Sequence, residues 1–341
     1  MNHFTDILKQ ISDGRDLTHD EASFALNEIV AGRVNTSQTA AFLFGMSCKG
    51  ETIEELSSFV QVMRRACVSI EVDNENAVDV CGTGGDKSGT FNISTAAMFV
   101  IAGAEVPVLK HGNAGVSSRS GSFDVLKSLG ARPDLQKDAV EACFRETGIA
   151  FMFAPLFHPA MAYVMPARRE LQLRTFFNIM GPMLNPAGVK RQVIGAFDED
   201  TATKIIHILS KLDTEFAYAV HSEDGLDEFS TSAPSHVYLL RKNGLEVKKI
   251  FRSELFGIDK ASPAALKGGS PDENAAIIRS ILDDRASDAQ RDIVLLNAAF
   301  GIHASGLYDD LHDAFYAAQE SLETGCARQA LDRFIAATLD A

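Results

Sequence analysis

The chain has 341 residues, of which 46% are hydrophobic and 23% charged, as in an ordinary globular protein. Its 32 Lys and Arg against 46 Asp and Glu give a net charge of −14, which argues against nonspecific binding to nucleic acid or anionic membranes. No apolar run reaches the ~20 residues of a membrane span, the N-terminus lacks a secretion-signal pattern, and the five cysteines form no CxxC pair. We therefore expect a cytoplasmic protein without a disulfide framework or structural zinc site.

Residues 1–72 predict a small all-α domain. Two Thr-x-x-Glu capping boxes, Thr18 with Glu21 and Thr52 with Glu55, each precede apolar residues at helical spacing. Asn35 is a candidate N-cap for a helix between them. Because short helices bury little core on their own, we expect this unit to pack on the rest of the chain or on another subunit.

Residues 73–341 predict an α/β domain. Some helices of the C-terminal region could instead belong to the helical domain. Helix candidates such as 94–102 and 123–129 alternate with strand candidates at 78–81, 106–109, 149–153, 193–197 and 216–220. This alternation predicts a mainly parallel central sheet flanked by helices. Ligands of such sheets lie at the carboxyl ends of the strands, so the loops that follow the strands are the candidate binding loops.

The loop after the first strand candidate contains three glycines between Gly82 and Asp86. They let the backbone turn sharply and bring amide groups to an anion. The segment from Asn92 to Thr95 then starts a helix whose free N–H groups suit phosphate. Lys87 breaks both the Walker pattern and the GxGxxG fingerprint. Considered alone, the segment is also compatible with a capped strand-to-helix turn.

Two further loops carry polar side chains suited to charged ligands. Lys110 follows the second strand candidate and precedes a serine-rich stretch, which predicts a phosphate or diphosphate loop, with a flexible polar loop as the alternative. Asp224, Asp227 and Glu228 follow the strand candidate at 216–220 and suit Mg²⁺, with a solvated acidic loop as the alternative. Between them, Arg168 could bind a carboxylate bidentately.

The motifs GTGGD, NIST, KHGN, HPAM, RREL, RTFFNIMGPMLNPA and DGLDE, in this order, resemble those of the anthranilate phosphoribosyltransferase family. The resemblance runs from the helical N-terminus to at least residue 230. It implies a nucleoside-phosphorylase-like fold, a homodimer joined through the helical part, and two Mg²⁺ ions per subunit. It also implies a reaction of tryptophan biosynthesis, the transfer of phosphoribose from 5-phosphoribosyl 1-diphosphate to the amine of anthranilate, with no nucleic acid or membrane as partner.

The resemblance further implies roles for individual residues and no covalent nucleophile. The residues that would bind phosphoribosyl diphosphate are Gly82, Gly85, Asp86, Thr90, Asn92, Ile93, Ser94, Thr95, Lys110, His111, Gly112, Asn113, Ala114, Gly115, Val116, Ser117, Ser118 and Ser122. Those that would contact anthranilate are Gly82, Asn113 and Arg168, the last through the carboxylate. Those that would serve the metal ions are Ser94, Asp227 and Glu228.

Ala114 and Met161 depart from the family pattern, because many members have Arg at the first position and some have Tyr at the second. The first departure removes a positive charge near the substrate entrance. Two other functions stay open. A pyrimidine nucleoside phosphorylase shares GTGGD and KHGN but usually carries an additional C-terminal domain, for which this chain has little room. A non-catalytic relative that binds nucleic acid would present a basic surface, against which the net charge of −14 argues.

Overall fold

The computed structural model describes residues 3–73, 75–115, 120–242 and 244–341. The N-terminal part contains the helices α1 (Phe4–Ser12), α2 (His19–Val30), α3 (Thr36–Lys49) and α4 (Ile53–Arg65). The predicted N-caps are confirmed, since the side chains of Thr18, Asn35 and Thr52 each accept the N–H three residues later.

Strands and helices then alternate, as the sequence predicts. In chain order they are β1 (Val78–Gly82), α5 (Ile93–Gly103), β2 (Val108–Gly112), α6 (Ser122–Ser128), α7 (Lys137–Thr147), β3 (Ile149–Phe153), α8 (Ala154–Phe157), α9 (Met165–Leu171), α10 (Phe177–Met180), β4 (Arg191–Gly195), α11 (Glu199–Leu209), β5 (Phe216–Ser222), β6 (Ser235–Arg241), β7 (Gly244–Phe251), α12 (Pro271–Leu282), α13 (Asp288–Ala304), α14 (Leu311–Glu323) and α15 (Cys326–Asp340). Short 3₁₀ turns complete several of the connections.

The strands form one seven-stranded sheet in the order β3-β2-β1-β4-β5-β6-β7. The strands β1 to β5 are parallel, and β6 and β7 add an antiparallel hairpin at one edge. The prediction of a mainly parallel sheet is therefore confirmed. The carboxyl ends of β1, β2, β4 and β5 lie next to one another, so the loops that follow them share one edge of the sheet.

Two strands are displaced by two residues from their predicted positions. The strand β2 starts at Val108, because Pro107 has no N–H to donate to a ladder. The strand β4 starts at Arg191, whose polar side chain and that of Gln192 conceal it in the sequence. Gln192 is fully buried and donates to the Pro182 carbonyl at 2.9 Å, which explains a polar residue inside the sheet.

Two hydrophobic clusters cover the two faces of the sheet. Along β5, Phe216 and Tyr218 belong to one cluster with α5 and α13, while Ala217 and Ala219 belong to the other with α11. The second cluster also takes in α1 to α4, where the ring of Phe59 lies 4.6 Å from that of Phe176. The expectation that the helical part packs on the rest of the chain is thus confirmed. Within the described ranges, no helix is long and apolar enough to cross a bilayer.

Candidate active site

The loop that carries Asp227 crosses the carboxyl ends of β1 and β4 at two paired glycines. Gly82 and Gly195 lie opposite each other in the parallel ladder. A Cβ atom at Gly195 would lie 1.6 Å from the Asp227 carbonyl oxygen, and one at Gly82 would lie 2.3 Å from Asp227 Oδ2. Gly195 therefore lets the backbone of the acidic loop approach the sheet, and a side chain at Gly82 would displace the Asp227 carboxylate.

We expect Gly195→Ala to displace this loop, because the added methyl group would overlap with backbone rather than with a movable side chain. Overpacking of this kind costs about 1–3 kcal/mol of folding free energy. Denaturant unfolding should show that loss, and kcat/KM should fall about tenfold if the loop carries the active carboxylates. An alanine variant with unchanged stability and activity would contradict this account of the loop.

Asp227 and Glu228 join the glycine-rich loop to the N-terminus of α5. The Gly84 N–H donates to Asp227 Oδ2 at 2.8 Å, and the Ser94 N–H donates to Glu228 Oε1 at 3.2 Å. Burial and the nearby Asp86 carboxylate raise the pKa of Asp227 to about 7. Burial and Asp227 raise the pKa of Glu228 to about 8. A pair of carboxylates that repel each other in this way is stabilised by a bound cation.

This donor set fits Mg²⁺. The ion prefers one or two carboxylates and keeps its remaining positions for water and phosphate oxygens. Asp227 and Glu228 supply the carboxylates, and the Ser94 hydroxyl lies beside the N–H that Glu228 accepts. Among the described residues, no three His, Cys, Asp or Glu side chains converge as a metal-binding group. Such a site would therefore rely on oxygens from water or substrate for most of its ligands.

Lys110 places a positive charge on the floor of this site. Its side chain is 2% exposed and donates to the Val80 carbonyl and to Ser94 Oγ, the latter at 3.2 Å. Beneath it, the buried Asp79 carboxylate accepts from Asn185 Nδ2 at 2.8 Å and from the His111 N–H at 3.3 Å. Burial raises the pKa of Asp79 to about 6, against the opposing effect of the Lys110 charge.

The segment from Thr90 to Thr95 is held in place by residues from far along the chain. Asn92 Oδ1 accepts from Asn274 Nδ2 at 2.9 Å and from Ser120 Oγ at 3.1 Å. Thr90 forms an isolated β-bridge with Lys267. Ile93 and Thr95 have side chains buried in the core, so only their backbone atoms are available to a ligand.

The loop after β2 closes on itself at its neck. Asp124 Oδ2 accepts the N–H groups of Gly115 at 2.7 Å and of Gly121 at 2.8 Å. The Asn113 carbonyl accepts from Ser122 Oγ at 3.3 Å. Gly112 keeps this neck narrow, since a Cβ there would lie 2.2 Å from Ser122 Oγ.

The predicted diphosphate ligands continue from Ala114 to Ser118 in the sequence. Ala114 donates its N–H to Asn113 Oδ1 at 2.8 Å, so the residue that replaces the family's arginine continues the turn at Asn113. The predicted diphosphate ligands Val116, Ser117 and Ser118 lie outside the described residues.

Arg168 lies on the short helix α9. It is half-buried, its guanidinium lies 5.5 Å from the centre of the Phe177 ring, and burial lowers its pKa. No described side chain forms an ion pair with it. A half-buried guanidinium whose N–H groups pair with no described carboxylate is suited to bind the carboxylate of a ligand.

Two buried histidines form a second polar feature of the site. The rings of His111 and His158 lie 5.0 Å apart, and burial lowers their pKa values to about 3 and about 4, so both are neutral near pH 7. His111 Nε2 has no hydrogen-bond partner among the described residues. A buried polar atom without a partner suits a polar ligand atom.

Sequence reasoning missed several residues that shape the site. Asp79 is the one carboxylate in an otherwise apolar strand, and Asn185 stands between apolar residues. For each of them, this polar residue among apolar neighbours is the local signal that the sequence offers. Asn274 has no such signal, because its contact with Asn92 joins positions 182 residues apart. Arg174 donates to the Gly85 carbonyl at 2.9 Å. In the sequence it stands out only as the first residue of the motif RTFFNIMGPMLNPA.

Comparisons with known proteins agree with this fold. A family model described as "Glycosyl transferase family, a/b domain" matches residues 74–328, and one described as "Glycosyl transferase family, helical bundle domain" matches residues 5–67. An anthranilate phosphoribosyltransferase of Salinibacter ruber is 45% identical over 98% of both chains. One of Xanthobacter autotrophicus is 42% identical over 98% of this chain and 97% of the relative.

Solved structures extend the comparison to three dimensions. The crystal structure of anthranilate phosphoribosyltransferase from Thermus thermophilus matches with a TM-score of 0.92 at 35% identity, covering 98% of this chain and 99% of that chain. The Saccharomyces cerevisiae protein in complex with PRPP and Mg matches with a TM-score of 0.90 at 23% identity, covering 99% and 98%. The second likeness bears on the fold alone.

Proposed function

The chain belongs to the anthranilate phosphoribosyltransferase family, and we infer from this membership that it transfers the 5-phosphoribosyl group from 5-phosphoribosyl 1-diphosphate to the amine of anthranilate. The products are N-(5-phosphoribosyl)anthranilate and diphosphate, in a step of tryptophan biosynthesis. The observation that carries this inference at the level of the site is a convergence at one edge of the sheet. The glycine-rich loop, the N-terminus of α5, Lys110 and the Asp227–Glu228 pair meet there.

We propose that the diphosphate group lies against the Gly82–Asp86 loop, where the Asp86 N–H has no described partner, and against the start of α5. The N-terminus of α5 favours a negative charge, and Lys110 neutralises part of it from below. The hydrogen bonds that hold Asn92, and those that Asp124 accepts in the loop after β2, keep in place two segments that we propose to contact the ribose and phosphate groups of the donor. Most of the rate acceleration would come from stabilising the leaving diphosphate, so no covalent nucleophile is needed.

We propose that Asp227, Glu228 and Ser94 hold Mg²⁺, with two ions per subunit. When bound, the metal stabilises the negative charge that develops on the departing diphosphate. The chain's own contribution is to keep two carboxylates side by side and to hold each with a backbone N–H, at 2.8 Å for Asp227 and at 3.2 Å for Glu228. This arrangement keeps the carboxylate oxygens oriented before substrate arrives.

On the acceptor side, we propose that the Arg168 guanidinium binds the anthranilate carboxylate, with Gly82 and Asn113 in contact with the ring. The free fork of Arg168 supports this role. Orientation of the weakly nucleophilic aryl amine toward the anomeric carbon would then follow from binding rather than from a chemical group. His111 Nε2, which is neutral, is suited to accept a hydrogen bond from the amine.

Mg²⁺ binding is expected to weaken as the pH falls through the range of these pKa values. The carboxylates must be ionised to bind metal, and their pKa values are raised to about 7 and about 8. Below each pKa, protons compete with the ion, so the apparent dissociation constant should rise by up to about tenfold per pH unit for each proton displaced. Titration calorimetry with MgCl₂ at several pH values between about 6 and about 8.5 measures this dissociation constant. A pH-independent affinity would contradict the assignment of Asp227 and Glu228 as metal ligands.

The boundary between a helical domain and the α/β domain is proposed at residues 72 and 73. A homodimer joined through the helical part is proposed from the family membership. A cytoplasmic location is proposed together with the biosynthetic role, because the substrates of such a step are metabolites of the cell interior.

The test of the function is the loss of anthranilate fluorescence in the presence of phosphoribosyl diphosphate and Mg²⁺, with the product identified by mass spectrometry. We expect metal-dependent formation of N-(5-phosphoribosyl)anthranilate. Phosphorolysis of thymidine or uridine by the same protein, with no loss of anthranilate, would instead support the nucleoside phosphorylase.

A further inference from the structure

Arg174 lies between α9 and α10 and reaches across to the glycine-rich loop. Its side chain is exposed, and Nη2 donates to the Gly85 carbonyl oxygen at 2.9 Å. Its guanidinium carbon lies 4.4 Å from the centre of the Phe197 ring. Stacking on an aromatic face fixes the plane of a guanidinium that would otherwise rotate freely.

The Phe197 platform is tied to the same loop that Arg174 contacts. The Phe197 N–H donates to Thr83 Oγ1 at 3.1 Å, and the Thr83 N–H donates to the Gly195 carbonyl at 2.9 Å. Any movement of the loop relative to β4 would therefore also change the geometry under Arg174.

The hydrogen bond to Gly85 decides which way one peptide group faces. The Gly85–Asp86 peptide is trans, so its C=O and N–H point in opposite directions. With the Gly85 carbonyl turned toward Arg174, the Asp86 N–H faces away from Arg174. That N–H donates to no other described residue. Gly84 and Gly85 have φ of 66° and 76°, a region in which a glycine peptide reorients at little cost, so the orientation must be held from outside.

The loop is held on both sides. The Gly84 N–H, two peptide groups before that of Asp86, donates to Asp227 Oδ2 at 2.8 Å. Arg174 supplies a second restraint two peptide groups later, on the Gly85 carbonyl. Together the two contacts fix the peptide groups on either side of the Gly84–Gly85 peptide, and a defined arrangement of peptide groups is what an anion-binding backbone concavity requires.

We propose that Arg174 is a positioning residue for the diphosphate group of the donor substrate. By holding the Gly85 carbonyl outward, it presents the Asp86 N–H to the anion. The proposal rests on the proposed function, which assigns the diphosphate to the Gly82–Asp86 loop. It also gives one segment two roles, because Arg168, six residues earlier, is assigned to anthranilate.

The experiment compares the wild-type protein with Arg174→Ala, Arg174→Lys and Arg169→Ala. Arg169 is the matched control, since it is exposed on α9 and has no assigned role. For Arg174→Ala we expect the KM for phosphoribosyl diphosphate to rise about five- to tenfold, as for the loss of one charge-assisted hydrogen bond in a solvated setting. The KM for anthranilate should stay within about twofold. Arg174→Lys keeps a hydrogen-bond donor, so its KM for phosphoribosyl diphosphate should lie between those of the wild-type protein and Arg174→Ala.

Hydrogen–deuterium exchange on the substrate-free proteins separates positioning from direct contact. If Arg174 positions the loop, peptides covering residues 82–90 exchange faster in Arg174→Ala without any ligand present. Unchanged exchange, unchanged KM values, or an equal rise in both KM values would each overturn the proposal. Failure of the proposed function is distinct, because the wild-type protein itself would then form no phosphoribosylanthranilate.

Discussion

Replacement of Asp227 by Asn and Glu228 by Gln in one protein is expected to lower kcat/KM for phosphoribosyl diphosphate by at least about 10³-fold. Each substitution keeps the size of the side chain and an oxygen that can accept the Gly84 or Ser94 N–H. What is lost is the negative charge that would hold Mg²⁺ beside the departing diphosphate. The residual rate should become nearly independent of added Mg²⁺.

The folded state of this double variant should be at least as stable as the wild-type protein in metal-free buffer near pH 8. The pKa values of both carboxyls are raised, so the folded wild-type chain loses stability as the pH rises from their ordinary values of 3.8 and 4.5 up to about 7 and about 8, above which both are ionised. Neutral amides remove that loss. Thermal unfolding in EDTA measures the difference in stability between the double variant and the wild-type protein. Asp224→Asn serves as a control, because the exposed Asp224 carboxylate lies in the same loop, where it accepts from Ser230 Oγ. A double variant that retains metal-dependent activity would contradict the assignment.

Replacement of Arg168 by Gln is expected to raise the KM for anthranilate about 30- to 100-fold. A bidentate, charge-assisted pair in a half-buried position contributes roughly 2–3 kcal/mol, which corresponds to this range. The KM for phosphoribosyl diphosphate should change little, because the diphosphate is assigned to the loop at Gly82–Asp86.

Two comparisons sharpen this second prediction. Arg169→Gln, on the next residue of α9 but exposed, should behave as wild type. An anthranilate analogue that lacks the carboxylate, aniline, should bind both Arg168→Gln and the wild-type protein equally poorly. If Arg168→Gln raises the KM for phosphoribosyl diphosphate as much as that for anthranilate, the residue does not recognise the acceptor.

The local patterns of the sequence predicted the parts of the fold whose causes are local. Capping boxes at Thr18 and Thr52 set helix starts, and alternating strands and helices implied the parallel sheet. Polar loops after strands implied a shared edge for Lys110 and the Asp227 loop, because carboxyl ends of parallel strands coincide. Individual ligand assignments came from the family resemblance and stay predictions.

The remaining features depend on contacts between distant positions. Nothing near Gly195 in the sequence shows that the Asp227 carbonyl will lie above it. Asn274 meets Asn92, and Asn185 meets Asp79, across 182 and 106 residues. The shift of β4 to Arg191 had a similar origin, since Gln192 is polar in sequence but its Nε2 donates to the Pro182 carbonyl in the fold. Periodicity detects apolar burial and is blind to polar groups that find distant partners.

The central claim is that Asp227 and Glu228 hold the metal ions of a diphosphate bound to the glycine-rich loop. Its most direct test is a crystal structure of the protein with phosphoribosyl diphosphate and Mn²⁺, which marks metal positions by anomalous scattering. The account predicts an anomalous peak about 2.1 Å from oxygens of Asp227 or Glu228 and of the diphosphate, with the diphosphate against the N–H groups of the Gly82–Asp86 loop. Metal peaks remote from both carboxylates, or a diphosphate bound away from that loop, would contradict it.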